Sequence, residues 1–295
     1  MDTRLIETCS KKVRGMARES LELIEAMHAA AEAAQPITGR GIGYKLFTKI
    51  PPLIPSMGRA PMQRVYRLLK EARERSMIPW EWIVDETREI ERVASWSNPD
   101  EYIEAVGRSY RRDHWDLQPV RVEVWSEKGT VRGVLAPVLD RYGVGFRVMH
   151  GFSGATTVYD VAQDDDGRPL IVLYVGDYDP SGMYMSERDL PDRLAKYGGD
   201  HVSLVRVALL QKHLDDLPSF PASDKKKDPR YEWFVRNYGN QCWELDALDP
   251  NALRTLVEKA IKLQIEPTAW RRCEVVEKAE RDSLRTVLGS WRGVA

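Results

Sequence analysis

From Leu170 to Val175 the chain reads Leu-Ile-Val-Leu-Tyr-Val, six apolar or aromatic positions in a row that end at Gly176. An uninterrupted run of that length between turn residues predicts a strand buried on both faces, the central strand of a sheet covered by helices. Upstream the period is two: Val120, Val122 and Val124 alternate with Arg121, Glu123 and Trp125, which predicts a second strand ending at Glu127. Helical spacing follows over Thr130 to Tyr142, then a strand Gly-Phe-Arg-Val-Met-His ending at His150, then a helix from Ser153 to Ala162. An acidic turn leads into the central strand, and a further helix and a strand over His201 to Leu210 come after it. Strands alternating with helices imply parallel βαβ units.

The flanks have a different pattern. In residues 3–35, Leu5, Ile6, Val13, Met16, Leu21, Leu23, Ile24 and Met27 recur at helical spacing until Pro36, which predicts a long amphipathic helix with a break near Gly15. Thr38 is placed to cap a short helix with Ile42, Leu46 and Ile50 on one face. After a Pro- and Gly-containing loop, Val65, Leu68, Leu69 and Ala72 mark the inner face of a basic helix. The aromatic, acidic stretch 81–116 reads as helical packing and a link to the sheet. Beyond the sheet, 209–229 reads as a polar surface loop, and helical pattern returns at Tyr231, with Asp249-Pro250 opening a clear helix. The tail from Pro267 to Trp291 predicts a charged helix for packing or dimer formation. The expected organisation is an N-terminal helical extension (1–35), a helical domain (36–117) and an α/β domain with a C-terminal helical extension (118–295).

Composition adds a local asymmetry. The 44 basic and 45 acidic residues nearly cancel, so no global electrostatic partner follows from the net charge of -1. Between Pro36 and Arg75, however, nine basic residues face two acidic ones, Glu71 and Glu74, whereas 81–116 holds ten acidic and five basic residues. Two short helices joined by a turn in a basic segment fit a helix-turn-helix or winged-helix module, with Arg59, Arg64, Arg67 and Lys70 toward a phosphate backbone. A solvated helix face fits the same charges. Cys9, Cys242 and Cys273 form no paired motif, and the five histidines lack ligand spacing, which excludes zinc knuckles and a disulfide framework. With no secretory signal and no apolar run long enough for a bilayer, the expectation is a soluble cytoplasmic protein without a membrane partner.

The candidate chemistry lies at strand ends. Asp177 and Asp179 follow the central strand, and residues two apart in extended chain point to the same side while Tyr178 points away. Carboxylates held together repel and raise each other's pKa unless a cation sits between them; Mg²⁺ is the natural occupant. Asp-Tyr-Asp-Pro also has the composition of a plain turn. Glu127 supplies a third carboxylate at the same edge if its strand is parallel to the central one. Further upstream, Arg40 and Tyr44 are four apart and so neighbours on a helix. A guanidinium beside a phenol favours the phenolate and holds a phosphate, as a tyrosine nucleophile attacking a phosphodiester needs; ordinary packing produces the same spacing.

A Glu after one strand and an Asp-x-Asp after a later one, in β-α-β-α-β order, resembles the Toprim fold of topoisomerases, bacterial primases and some nucleases. More narrowly, Glu-Val-Trp-Ser-Glu-Lys-Gly (123–129), His-Gly-Phe-Ser-Gly-Ala-Thr-Thr (150–157) and Val-Gly-Asp-Tyr-Asp-Pro-Ser-Gly (175–182) look like the A subunit of type IIB topoisomerases (topoisomerase VI) and the related meiotic double-strand-break protein. The resemblance covers residues 36–265. It implies an α/β Toprim domain, with a parallel sheet and helices on both faces, behind an N-terminal helical winged-helix-like domain. It also implies Mg²⁺ on Glu127, Asp177 and Asp179, with Tyr44 as nucleophile at the second tyrosine of an Arg-x-x-Tyr-Tyr motif. The first of those tyrosines is replaced here by Gly43. Arg40 would position the scissile phosphate and Lys128 would hold a phosphate, while Glu244 or Asp246 would match a Glu-rich element late in the domain. The implied reaction is cleavage of double-stranded DNA through a 5′-phosphotyrosyl link in a homodimer, the tyrosine of one subunit facing the metal site of the other. No glycine-rich phosphate loop is present, so strand passage would call for a separate ATPase subunit. A Toprim nuclease or primase-like enzyme with Tyr44 structural, and a non-catalytic DNA-binding protein of a plasmid or phage, fit the same acids and charges.

Overall fold

The computed structural model describes residues 16–84, 94–149 and 155–290. Residues 3–15 of the predicted first helix, 85–93 of the acidic link, His150 and the start of the helix predicted from Ser153 lie outside the described residues.

Helix α1 (Arg18–Ala34) buries Leu23, Ile24, Met27, Ala31 and Ala34 along one stripe. Strand β1 (Ile37–Thr38) follows, and the Thr38 hydroxyl accepts the Gly41 N–H at 2.9 Å, capping α2 (Gly39–Phe47) as the sequence predicts. Helix α3 (Arg59–Glu74) turns Met62, Val65, Leu68, Leu69 and Ala72 inward. Strand β2 (Ile83–Val84) pairs in parallel with β1. One core holds α1, α2 and α3 together with Ile37, Ile78 and Ile83, so the helix preceding Pro36 shares its apolar contacts with the segment after it. Gly43 is part of that packing: a Cβ there would lie 2.5 Å from Met62 Sδ, so a side chain at this position would push the Met62 thioether aside. Helix α4 (Pro99–Ser109), capped by the Asn98 side chain, lies in the acidic link.

The sheet begins with β3 (Arg121–Ser126), α5 (Thr130–Tyr142) and β4 (Gly145–Val148). Next come α6 (Ala155–Gln163) and β5 (Leu170–Val175). Helix α7 (Pro180–Tyr184) runs through a π turn at Met185–Asp189 into α8 (Leu190–Lys196), and β6 (Val202–Ala208) completes the sheet. The four strands are parallel in the order β4-β3-β5-β6, with Val124 opposite Leu173 and Leu173 opposite Val205. The predicted central strand is therefore internal. Its two faces divide by parity: Leu173 and Val175 join Val122, Val124 and α5 in one core, while Leu170, Val172 and Tyr174 join Trp125, α6 and α8 in another.

C-terminal to the sheet, β7 (Phe220–Pro221), α9 (Tyr231–Tyr238) and β8 (Gln241–Cys242) precede α10 (Pro250–Lys262) and α11 (Pro267–Ser290). Stretch 209–229, read from its composition as a surface loop, instead packs Leu209 and Ala222 into the core and pairs β7 antiparallel with β8. Most of its polar side chains are exposed, but two of them, Lys225 and Asp228, line an open cavity. Among the described residues no helix is long and apolar enough to cross a membrane.

Candidate active site: carboxylates at the sheet edge facing a basic helix

Because β3 and β5 are adjacent and parallel, Glu127 and the Asp177/Asp179 pair leave the sheet at the same edge, where open α/β sheets place ligands. The loop after β5 is held by its backbone. Gly176 exchanges hydrogen bonds with Ala208 and Leu209 at 2.8 and 2.9 Å. The chain then doubles back so tightly that a Cβ on Gly182 would lie 2.4 Å from the Asp177 carbonyl oxygen. Asp179, 3% exposed, accepts the Gly182 N–H at 2.8 Å and so caps α7. Asp177 accepts the Leu245 N–H at 2.8 Å. Tyr178 points the other way, as a period of two requires: its backbone bridges to Trp243 and its ring packs edge-on among Phe234, Tyr238 and Trp243.

Beneath this loop lies Arg206, which the sequence reading passed over. Its guanidinium donates to the carbonyls of Gly176, Asp177, Gly182 and Leu209 at 2.5–2.9 Å and to Ser186 Oγ at 2.7 Å. Burial lowers its pKa, and among the described residues its hydrogen-bond partners are neutral oxygens. Arg206 thus ties both ends of the Asp-x-Asp turn to β6. A lone cation inside an apolar strand was the available signal.

Two ammonium groups stand among the acids. Lys128 Nζ lies 3.0 Å from Asp177 and 3.1 Å from Asp246; Lys225 Nζ lies 3.0 Å from Asp179. Burial alone would lower the Lys128 pKa, but the Asp177 and Asp246 charges raise it overall. Glu127 is pushed above the usual carboxylate range, first by burial and then by Asp177 and Asp179. Among the described residues no three His, Cys, Asp or Glu side chains already converge as a ligand cluster. The donor set is nevertheless hard oxygen with surplus negative charge at Glu127, which suits a divalent cation such as Mg²⁺, and Lys128 and Lys225 supply the compensating charge here.

The acids form one wall of a cavity of about 1040 Å³. Glu127, Asp177 and Asp179 all line it, and the facing wall is built from Arg40, Tyr66, Lys70, Arg73 and Trp80. Tyr44 does not. It is 5% exposed on α2 and lines a neighbouring cavity of about 450 Å³ with Arg40, Lys225 and Glu244. Arg40 stands 5.9 Å from the Tyr44 ring centroid, as spacing four predicts, but the Nε–Nη2 edge of its guanidinium is taken by both oxygens of Glu244. The phenol pKa is consequently raised: burial and the Glu244 charge outweigh the lowering by Arg40. The expected phenolate is not favoured in this arrangement, because its cation is neutralised by an acid 204 residues away. The same segment holds α2 elsewhere, through Thr38 to Asp246 at 2.5 Å and Lys45 to Asp249.

Of the other predicted contacts, Lys70 reaches the large cavity and lies 3.6 Å from Glu74. Arg64 turns to Glu19 of α1 at 2.8 Å, away from the carboxylates, and Arg59 and Arg67 are exposed on α3. Lys225 and Trp80 join the site from segments whose local pattern gave no hint of chemistry, and Asp246, expected only from the family resemblance, joins it through Lys128. In comparisons with family models, curated proteins and solved structures, none matches this chain.

Proposed function

We propose that the chain is a type IIB topoisomerase A-subunit-like enzyme that cleaves double-stranded DNA by tyrosine transesterification. The observation that carries this reading is one cavity walled by Glu127, Asp177 and Asp179 on one side and by Arg40, Lys70 and Arg73 on the other, with Tyr44 one helical turn from Arg40. Glu127, Asp177 and Asp179 would hold Mg²⁺, which when bound neutralises charge on the phosphate and on the departing oxygen. Tyr44 Oη attacks phosphorus as its proton leaves to solvent, the bond to the 3′ oxygen breaks, that oxygen takes up a proton from solvent to become a 3′ hydroxyl, and the 5′ phosphate stays on the tyrosine. Lys128 and Arg40 bind phosphate oxygens once these displace their carboxylate partners. Since Tyr44 lies outside the carboxylate cavity of its own chain, a homodimer that presents it to the other subunit's acids completes the site, and a separate ATPase subunit drives strand passage. The proposed setting is the cytoplasm.

One observation favours a second reading. Tyr44 is buried with its pKa raised, which suits a Toprim nuclease that uses water and leaves the tyrosine structural. Incubation with supercoiled DNA and Mg²⁺, followed by denaturation, separates the two. Transesterification leaves protein covalently attached to the 5′ ends, and Tyr44→Phe removes both adduct and cleavage. Free ends, cut at an equal rate by the Phe variant, identify the nuclease.

A further inference from the structure

The wall opposite the carboxylates carries aromatic rings as well as cations. Tyr66, Lys70 and Arg73 occupy one face of α3 at spacings of four and three, and that face looks into the large cavity. After the turn that ends α3, Trp80 folds back onto the same wall, its ring centroid 4.2 Å from the Arg73 guanidinium. Neither ring is used by the core: Trp80 is 54% exposed and Tyr66 43% exposed. Tyr66 lies along the α2 backbone, where a Cβ on Gly39 would be 3.0 Å from its ring. A half-exposed indole backed by a guanidinium, and a half-exposed phenol beside a lysine, both border a cavity whose far side is acidic.

We infer that this wall is a stacking site for an unpaired DNA base, so that the chain engages a locally single-stranded stretch beside the phosphate it would cleave. The inference rests on the DNA-cleavage reading above. A base inside a duplex has both faces covered by its neighbours, so exposed rings gain from DNA only when a base is out of the stack. Lys70 and Arg73, interleaved with the rings, follow the phosphates of such a strand. Gapped or single-stranded DNA offers the base free of the unpairing cost that a closed duplex imposes.

The test is fluorescence anisotropy in EDTA, so that binding is read without cleavage, using one labelled sequence as single strand, gapped duplex and closed duplex. The single strand and the gapped duplex are expected to bind more tightly than the closed duplex. Trp80→Leu is expected to weaken binding to both by about 5- to 150-fold, the range for loss of one base-aromatic stack, while leaving closed-duplex binding unchanged. Trp80→Phe keeps a ring and should restore most of the loss. Tyr66→Leu is an independent variant on the same wall and carries the test if Trp80→Leu lowers the melting temperature. If all three DNAs bind alike and neither leucine variant weakens any of them, the stacking site is overturned while the DNA reading stands. If the wild-type chain binds none of them, both fall. Displacement of the strand by equimolar free thymidine monophosphate would assign the rings to a mononucleotide and overturn the inference as well.

Discussion

The sheet edge and the tyrosine helix face each other, yet they are fixed by different means. At the edge, Asp177 and Asp179 are positioned by backbone hydrogen bonds, a helix cap and Arg206, with Asp179 and Arg206 buried and Asp177 partly so. Helix α2 is tied to the same edge by side chains: Arg40 to Glu244 and Lys45 to Asp249, with 17–37% of each side chain exposed. Ion pairs that water reaches are worth roughly 0–1 kcal/mol each, whereas a buried network of backbone acceptors is costly to break. The carboxylates are thus a fixed platform, and the contacts around Tyr44 are exchangeable. An incoming phosphate competes directly with Glu244 for Arg40.

That contrast breaks first at Asp177. Asp177→Asn keeps an oxygen for the Leu245 N–H but removes the charge, so Mg²⁺-dependent cleavage should drop to background while circular dichroism stays unchanged. Retained cleavage would mean that the edge is not the metal platform. The next effect is on stability. Arg206→Leu removes five hydrogen bonds and takes the guanidinium from the Asp177 and Leu209 carbonyls, while the Gly176 and Gly182 carbonyls keep the Leu209 N–H and the Ser186 hydroxyl; at about 1–3 kcal/mol per unsatisfied group, a loss of about 2 kcal/mol or more is expected in urea unfolding. An unshifted midpoint would show that the loop holds itself.

The exchangeable side is sharpened by Glu244→Gln. Glu244 raises the Tyr44 pKa and occupies Arg40; without its charge the phenol ionises at lower pH. For a reaction limited by phenolate, the rising limb of the pH-rate profile should move toward neutrality, each unit of movement giving about tenfold more rate at a fixed lower pH. A limb that stays in place would leave Tyr44 out of the chemistry. The smallest effect concerns α3. Substituting Arg64 and Arg67 together by Gln should flatten the dependence of log K on log salt for duplex DNA by at most about two units, since each phosphate contact contributes about 0.9. With Arg64 already held by Glu19, a change nearer one unit is expected, and an unchanged slope would make both ordinary surface residues.

What the chain disclosed on reading follows the same division. The parallel sheet flanked by helices was legible because a six-residue apolar run and a period of two are local facts. The shared edge for Glu127, Asp177 and Asp179 followed once the strands were taken as parallel. The nearness of Arg40 and Tyr44 needed only the helical repeat. Glu244 and Asp246 were reached only through the family resemblance and Lys225 not at all, since all three come to the site through tertiary packing of segments whose own patterns describe turns and caps. Burial of Tyr44 together with the Glu244 charge reverses the expected direction of its pKa, and Lys225 adds a cation among the acids. Arg206 was visible, but only to a reader asking why a strand buried on two faces should contain a charge.

The tight return of the chain at Gly182 has a consequence for how related sequences should be read. The Asp177 carbonyl occupies the space that a side chain at 182 would need, and a backbone atom cannot swing aside as a side chain does. Any other residue at 182 must displace the peptide that carries the first acid. The two positions are therefore expected to be kept together, and a chain that keeps both aspartates but loses the glycine must run its loop on a different course. In tracing this site through other genomes, the residue with no functional group is the stricter marker of the chemistry.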